Sequence, residues 1–169
     1  MLIRTTARLR LRTACLDDAA FYLALLNSPT FVAQLGDRGL RTLDDARVAL
    51  AEGPIRMQAQ YGHSLYIAET HDGTPVGMCG LIRRMELDGV DLGYAFLPQY
   101  QGYGFAHEAA LAATLHAHET LGIQRLLAIV SPENTRSISV LQKIGFVFAR
   151  IVLLRTSDSG TLLYEHRPV

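Results

Sequence analysis

The stretch Val90–Glu108, VDLGYAFLPQYQGYGFAHE, changes character partway through, and that change limits what the chain can fold into. Val90 to Leu97 reads as a strand, and Pro98 begins a short polar crossing. Gln101-Gly102-Tyr103-Gly104-Phe105-Ala106 is then a glycine turn that opens directly into a helix. Lacking Cβ atoms, Gly102 and Gly104 allow backbone dihedrals closed to other residues and let a ligand approach closely. The first N–H groups of a helix have no intrahelical partners, and with the helix dipole they attract an anion. Strand, glycine turn and helix in this order outline a phosphate cradle.

Two nucleotide loops do not fit it. A Walker A loop requires Lys and then Ser or Thr after its last glycine, where this chain has Phe105-Ala106-His107. A dinucleotide fingerprint requires Gly or Ala three residues after Gly104, and His107 holds that place. Pro98 to Gln101 also separate the glycines from the strand. Taken alone, the turn could also be a purely structural strand-to-helix connection, the less favoured reading.

The remaining chain supplies more strands and helices. Arg8 to Arg12 alternates apolar and basic residues, as a half-buried strand does. Asp17 and Asp18 begin a helix that ends before Pro29, and Thr30 to Arg41 reads as a loop. Thr42 is an N-cap for a second helix, with Asp44 and Asp45 in its first turn and an interruption at Gly53-Pro54. Ser64–Glu69, Pro75–Arg83 and Val90–Leu97 are successive strands separated by turn residues. Gly93 lies inside the last of them, where a glycine marks a bulge or a close backbone approach. Phe105–Leu121 is a long Ala/Leu helix, Arg125–Val130 a strand, and Thr135–Ile144 a helix stopping at Gly145. Strands around Phe146–Leu154 and Leu162–His166 flank the turn Ser157-Asp158-Ser159-Gly160. The expected fold is α+β, a mixed, mostly antiparallel central sheet with helices on both faces.

Length and composition exclude other classes. The 169 residues suit one domain, 1–169, able to bury roughly 70% of the surface its unfolded chain exposes. Sixteen basic residues balance sixteen acidic ones, which argues against nucleic acid or an anionic membrane as partner. No apolar run approaches the ~20 residues of a membrane span, and MLIRTTARLRLR lacks a signal-peptide apolar core. The expected compartment is the cytoplasm. Cys15 and Cys79 do not form a disulfide framework, and no Cys/His spacing resembles a metal site.

A second segment narrows the cradle's purpose. Val130-Ser131-Pro132-Glu133-Asn134-Thr135-Arg136-Ser137 leads into a helix that ends Leu141-Gln142-Lys143-Ile144-Gly145-Phe146. With Gln101-x-x-Gly104-x-Ala106, this resembles the GNAT superfamily of acyl-CoA-dependent N-acyltransferases. That family's acetyl-CoA loop reads Gln/Arg-x-x-Gly-x-Gly/Ala, and its later segment reads Asn, Ser/Ala three residues on, and a Gly-Phe ending. Arg8-Leu9-Arg10-Leu11-Arg12 and Glu108-Ala109-Ala110 are similar to the branch containing ribosomal-protein N-terminal acetyltransferases. The similarity runs over nearly the whole chain.

The resemblance implies roles for particular residues. The strand before the loop would splay from its neighbour at a bulge, for which Gly93 is placed. Backbone groups of Phe96 and Leu97 would pair with the pantetheine arm of acetyl-CoA, and one of their N–H groups would hold the oxyanion. The N–H groups of Gln101, Gly102, Tyr103, Gly104, Phe105 and Ala106 would hold the pyrophosphate. Asn134 would bond the pantetheine from the other side, cap the following helix, or do both. Asp91 is the first candidate base, ahead of Glu86 and Asp88, with a solvated strand-face carboxylate as the plain alternative. Many family members place a Tyr general acid seven residues after the motif Asn, where this chain has Leu141. Ser137 is the substitute candidate, beside the cofactor on the helix face.

The weak base suits an acceptor of low pKa. An α-amino group titrates at ~7.7–8.0 and a Lys amine at ~10.4, a gap of about 2.5 units or about 3.4 kcal/mol. The expected acceptor is a protein N-terminal α-amine or a small amine. Arg38 and Arg41 lie in the acceptor-side loop, where they could meet an acidic acceptor or stand as solvated charges. His63 and His166 are minor pocket candidates, and His107, His116 and His118 read as helix-face residues. Tyr94 points to the face opposite Asp91 if no bulge disturbs the alternation. Neither cysteine looks activated, so direct attack in a ternary complex is expected over a covalent acyl-enzyme. The alternative function is a silent acyl-CoA-binding module. Homodimerisation is left open.

Overall fold

A computed structural model describes residues 1–154 and 160–168. β1 (Leu2–Thr5) and β2 (Leu9–Arg12) form a hairpin, followed by α1 (Ala19–Leu26), α2 (Pro29–Leu35), α3 (Leu43–Leu50) and α4 (Arg56–Tyr61). β3 (Leu65–Thr70), β4 (Pro75–Arg83) and β5 (Val90–Phe96) run as a meander, and α5 (Phe105–Leu115) crosses to β6 (Leu126–Val130). α6 (Thr135–Lys143), β7 (Val147–Val152) and β8 (Thr161–His166) complete the chain. The eight strands form one sheet in the order β1-β2-β3-β4-β5-β6-β8-β7. Neighbours are antiparallel except β5 and β6, which are parallel. The α+β expectation, with helices on both faces, holds.

Strand alternation divides the core. Leu9, Leu11, Tyr66, Leu81, Leu92 and Phe96 face the side covered by α5 and α6, with Ala109, Ala113 and Leu141 from those helices. Ile67 and Met78 face the other way, against Leu25 and Leu26 of α1 and partly buried Phe31 of α2. Ala19, Ala46 and Leu50 join α1 to α3. A fully buried leucine stabilises the fold by roughly 1.5–3 kcal/mol, so the long Leu-rich strands fix which face is which.

Several local expectations change. Pro29 begins α2 instead of closing the preceding helix; Ser28 caps it, its Oγ accepting the Phe31 N–H at 3.4 Å. Proline is at home at the first helical position, where its missing N–H had no partner anyway. Thr42 caps α3 as expected, and Asp45 returns the bond to the Thr42 N–H at 2.8 Å. Gly53-Pro54 does not break the chain's course, because a single π turn, Ala51–Ile55, carries α3 into α4. The Ser157-Asp158-Ser159 part of the last turn lies outside the described residues.

The bulge expected at Gly93 is absent from the β4–β5 ladder, which runs unshifted from Arg83↔Val90 to Gly77↔Phe96. A Cβ at Gly93 would meet Ile82 Cδ1 at 2.6 Å, the far end of a side chain that can turn aside. The sheet opens instead on the other edge of β5.

Candidate active site

β5 and β6 pair only at Val90↔Leu126 and Asp91↔Leu127, and then diverge. A cavity of about 740 Å³ occupies the opening, lined from β5 by Asp91 to Ala95, from β6 by Ala128 to Val130, and by Asn134, Ser137 and Leu141. Tyr22, Leu25, Phe31, Arg38 and Leu40 enclose its other side.

Backbone direction along β5 follows from one hydrogen bond. Leu97 donates its N–H to the Val76 carbonyl at 3.0 Å. Backbone groups alternate along an antiparallel ladder, so Gly93 and Ala95 also turn toward β4, while Tyr94 and Phe96 turn toward the opening. This corrects the expectation for Leu97, whose N–H is engaged and faces away from the gap. Phe96 keeps an N–H on the open side, and Tyr94 gains one. The Phe96 carbonyl accepts the Gln101 side-chain amide at 2.9 Å, and the same amide reaches Thr30 Oγ1 at 3.2 Å. The motif glutamine thus ties the end of β5 to α2.

The glycine loop turns through left-handed backbone at two positions. Gly102 and Gly104 have φ of +84° and +81°, the left-handed region that favours glycine. Gly104 is the N-cap of α5 and offers no capping side chain. The Gln101 N–H is held by the Pro98 carbonyl at 3.2 Å, which removes it from the expected cradle. Among the described residues, no backbone acceptor takes the N–H groups of Gly102, Tyr103, Gly104, Phe105 or Ala106. The loop is clamped from the β1–β2 hairpin. Arg8 donates Nη1 to the Tyr103 carbonyl at 2.8 Å, pairs Nε with Glu108 Oε2 at 2.7 Å, and lies 4.8 Å from the Phe105 ring centroid. Thr6 Oγ1 donates to Glu108 Oε1 at 2.6 Å. Residues a hundred positions apart make this clamp, so sequence spacing does not reveal it.

Asp91 is not a solvated strand-face group: it is fully buried. Arg84 Nε lies 3.2 Å and 3.0 Å from its two carboxylate oxygens. Burial pushes the carboxyl above the ordinary carboxylate range, and the Arg84 guanidinium pulls against that shift. Glu86 and Asp88 are exposed, and Asp88 is paired with Arg125 at 3.1 Å.

On the opposite wall, Asn134 caps α6, its Oδ1 accepting the Ser137 N–H at 3.2 Å. The capping role is therefore present, and no hydrogen bond from the Asn134 amide nitrogen is found among the described residues. The Tyr94 hydroxyl lies 2.6 Å from Ser137 Oγ and 3.2 Å from the Ser137 carbonyl. Burial pushes the Tyr94 phenol up to about 12, with the Ser137 hydrogen bond opposing. Tyr94 faces the α5–α6 side and Asp91 the α1–α2 side, as unbroken alternation requires.

The other candidates separate. Arg41 is bound to Asp37 and away from the cavity, while Arg38 lines it. Neither His63 nor His166 lines it: His63 is buried beside the Leu81 carbonyl at 3.4 Å, and His166 pairs with His118 at 2.8 Å. His116 packs edge-on against Tyr66. Cys79 is buried, which pushes its thiol up, and Cys15 is not at the cavity. The sequence reading missed Arg84, and it gave Tyr94 a face but no role. A basic residue seven positions before Asp91, across a β-turn, is the one available signal for the first.

Residues 8–147 match the acetyltransferase (GNAT) domain family. YkkB of Bacillus subtilis (strain 168), itself uncharacterised, is 31% identical over 168 residues, 96% of this chain and 94% of its own length. The crystal structure of an acetyltransferase from Agrobacterium tumefaciens str. C58 has a TM-score of 0.82 at 27% identity, covering 99% of this chain and 95% of that one. RimL, a ribosomal L7/L12 alpha-N-protein acetyltransferase in complex with coenzyme A, shares the fold with a TM-score of 0.84 at 16% identity, covering 99% and 98%.

Proposed function

The chain belongs to the GNAT acetyltransferase family, and from that premise we propose that it moves an acetyl group from acetyl-CoA to a primary amine by direct attack in a ternary complex. The acceptor in this reading is the α-amine of a protein N-terminus or a small amine. One observation carries the reading: β5 has an unpaired edge beside a glycine cradle at a helix start. An amide-bearing, pyrophosphate-bearing ligand fits that arrangement. The pantetheine amides meet the free edge at Tyr94 and Phe96, with the Asn134 amide opposite. The pyrophosphate meets the N–H groups of Gly102 to Ala106, held in place by the Arg8–Glu108 clamp.

The chemistry then divides between the two faces of the opening. The amine arrives from the α1–α2 side, where Asp91 takes its proton directly or through water. A buried carboxylate with a raised pKa is a stronger base than an exposed one. The amine nitrogen bonds to the thioester carbon, and whichever N–H of Tyr94 or Phe96 is not taken by a pantetheine carbonyl holds the oxygen as it gains charge. The C–S bond breaks with its electron pair going to sulfur, beside Ser137. A thiol titrates near ~8.5, so its thiolate leaves with modest assistance. Buried Cys79 and peripheral Cys15 offer no route through an acyl-enzyme. The silent module is the weaker reading, because Tyr94 brings a phenol against Ser137, one helical turn before Leu141.

The test is release of free thiol from acetyl-CoA with N-terminal peptides, lysine peptides and small amines. Faster release with α-amines than with lysine side chains supports the acceptor class. Tight acetyl-CoA binding with no release across the panel leaves the silent module. No acetyl-CoA binding refutes the reading altogether.

A further inference from the structure

We propose that Tyr94 and Ser137 act as one hydrogen-bonded pair at the departing sulfur, with Ser137 touching the sulfur and Tyr94 the positioning residue behind it. The proposal rests on the acetyl-CoA reading above. Tyr94 stands on β5 and Ser137 in the first turn of α6, so their 2.6 Å contact spans the opening in which the thioester must lie. Both residues line the cavity.

Proton placement decides what the pair can do. The Tyr94 hydroxyl has two acceptors within reach, Ser137 Oγ and the Ser137 carbonyl at 3.2 Å. Ser137 Oγ, at 2.6 Å, is the nearer of the two, and the carbonyl already has a helical N–H on one lone pair. Donation from the phenol to Ser137 Oγ occupies one lone pair of that oxygen and leaves its own proton free to point into the cavity. Asn134 fixes the same turn by accepting the Ser137 N–H at 3.2 Å, so the serine cannot swing away with its backbone. A phenol held well above neutral pH by burial stays a donor throughout the working range. As the C–S bond breaks, the electron pair on sulfur accepts a hydrogen bond from Ser137 Oγ. The proton the thiolate finally takes up balances the one lost by the attacking nitrogen. Leu141, one helical turn further on, is buried and apolar and contributes nothing to that step.

The pair is testable without knowing the acceptor, by measuring the thiol pKa of bound CoA from its ultraviolet thiolate absorbance. In the wild-type complex the thiol is expected about one unit below that of free CoA titrated in the same buffer, a tenfold stabilisation of thiolate. Tyr94→Phe and Ser137→Ala should each return it toward the free-CoA value, and the double variant should go no further, since paired groups are not additive. A purely structural Tyr94 would change CoA affinity without moving this pKa. Should Tyr94→Phe fail to fold, Ser137→Ala alone gives the same measurement. CoA bound with an unperturbed thiol pKa overturns the pair and leaves the acetyltransferase reading standing. Failure to bind CoA at all overturns both.

Discussion

Replacing Gly104 by alanine tests the cradle at the point where its geometry is most demanding. Gly104 has φ of +81°, and an L-residue held there costs roughly 1–2 kcal/mol. Space is not the obstacle: a Cβ would meet only Arg8 Nη2, at 3.3 Å, the far end of a flexible side chain. The loop is exposed, so the variant should relax toward negative φ and tilt its N–H groups off the anion position. Binding must then restore the strained form. At about 1.4 kcal/mol per tenfold, 1–2 kcal/mol predicts a dissociation constant for CoA raised roughly 5- to 30-fold. Gly122 provides the control, with φ of +67°, nothing within 4 Å, and a position at the far end of the α5 crossover. Gly122→Ala meets the same backbone strain and should lower Tm by about 2–8 °C with no change in CoA affinity. Titration calorimetry reads the affinities and thermal unfolding the stabilities. Gly104→Ala binding CoA within about twofold of wild type would refute the assignment of the loop to the pyrophosphate.

Asp91→Asn should lower kcat/KM by roughly 10²–10⁴-fold if Asp91 is the base. Because burial raises the Asp91 pKa and Arg84 opposes it, Arg84→Gln should move the acid limb of the pH–rate profile to higher pH; a limb that stays put or falls counts against Asp91. Asn134→Asp keeps the oxygen that caps α6 but loses the amide donor, so stability should hold while CoA affinity drops; Asn134→Ala should in addition cost about 0.5–2 kcal/mol of stability. In amide hydrogen exchange, CoA should newly protect Tyr94 and Phe96, whereas Gly93, Ala95 and Leu97 are already protected by β4. Uniform protection along β5, or none, contradicts the proposed pairing.

Much of this site was legible because it depends on local chemistry. Gly102, Gly104, the Asn134 cap and the Gly145 stop each satisfy a short-range backbone demand, and the structure places them where those demands put them. The strand limits of Pro75–Arg83 follow from composition in the same way. Non-local effects were not legible. Pro29 carries one local meaning as a helix stop and another as a helix start, and only the cap from Ser28 decides between them. Ile82 of the neighbouring strand comes closest to Gly93, a contact that spacing along β5 does not convey. The direction of the Leu97 N–H depends on its register with Val76, twenty-one positions away. Tyr94 and Ser137 meet across the opening itself, so neither residue's neighbours in sequence announce the contact.

The opening has its own physical cause in the sheet order. β5 is held by β4 through a continuous ladder, and β6 by β8 from Leu126↔His166 to Val130↔Leu162. The two halves of the sheet share only two pairs, at the ends of the one parallel contact. Parallel neighbours require a crossover, here α5, so the chain cannot close that seam with a tight turn. Each half twists as a unit, and beyond Asp91↔Leu127 nothing in the ladder compels the strands to stay together. The resulting free N–H groups on Tyr94 and Phe96 are a standing cost of about 1–3 kcal/mol each if left unsatisfied away from water. A ligand with its own amides removes that cost on binding, so the same unmade bonds that weaken the empty sheet supply affinity and orientation to the filled one. On the proposed reading the Tyr94–Ser137 contact is a strut across the opening as well as a donor at the sulfur. Its two roles separate only in a measurement that follows the proton, because loss of the strut changes affinity while loss of the donor changes the thiol.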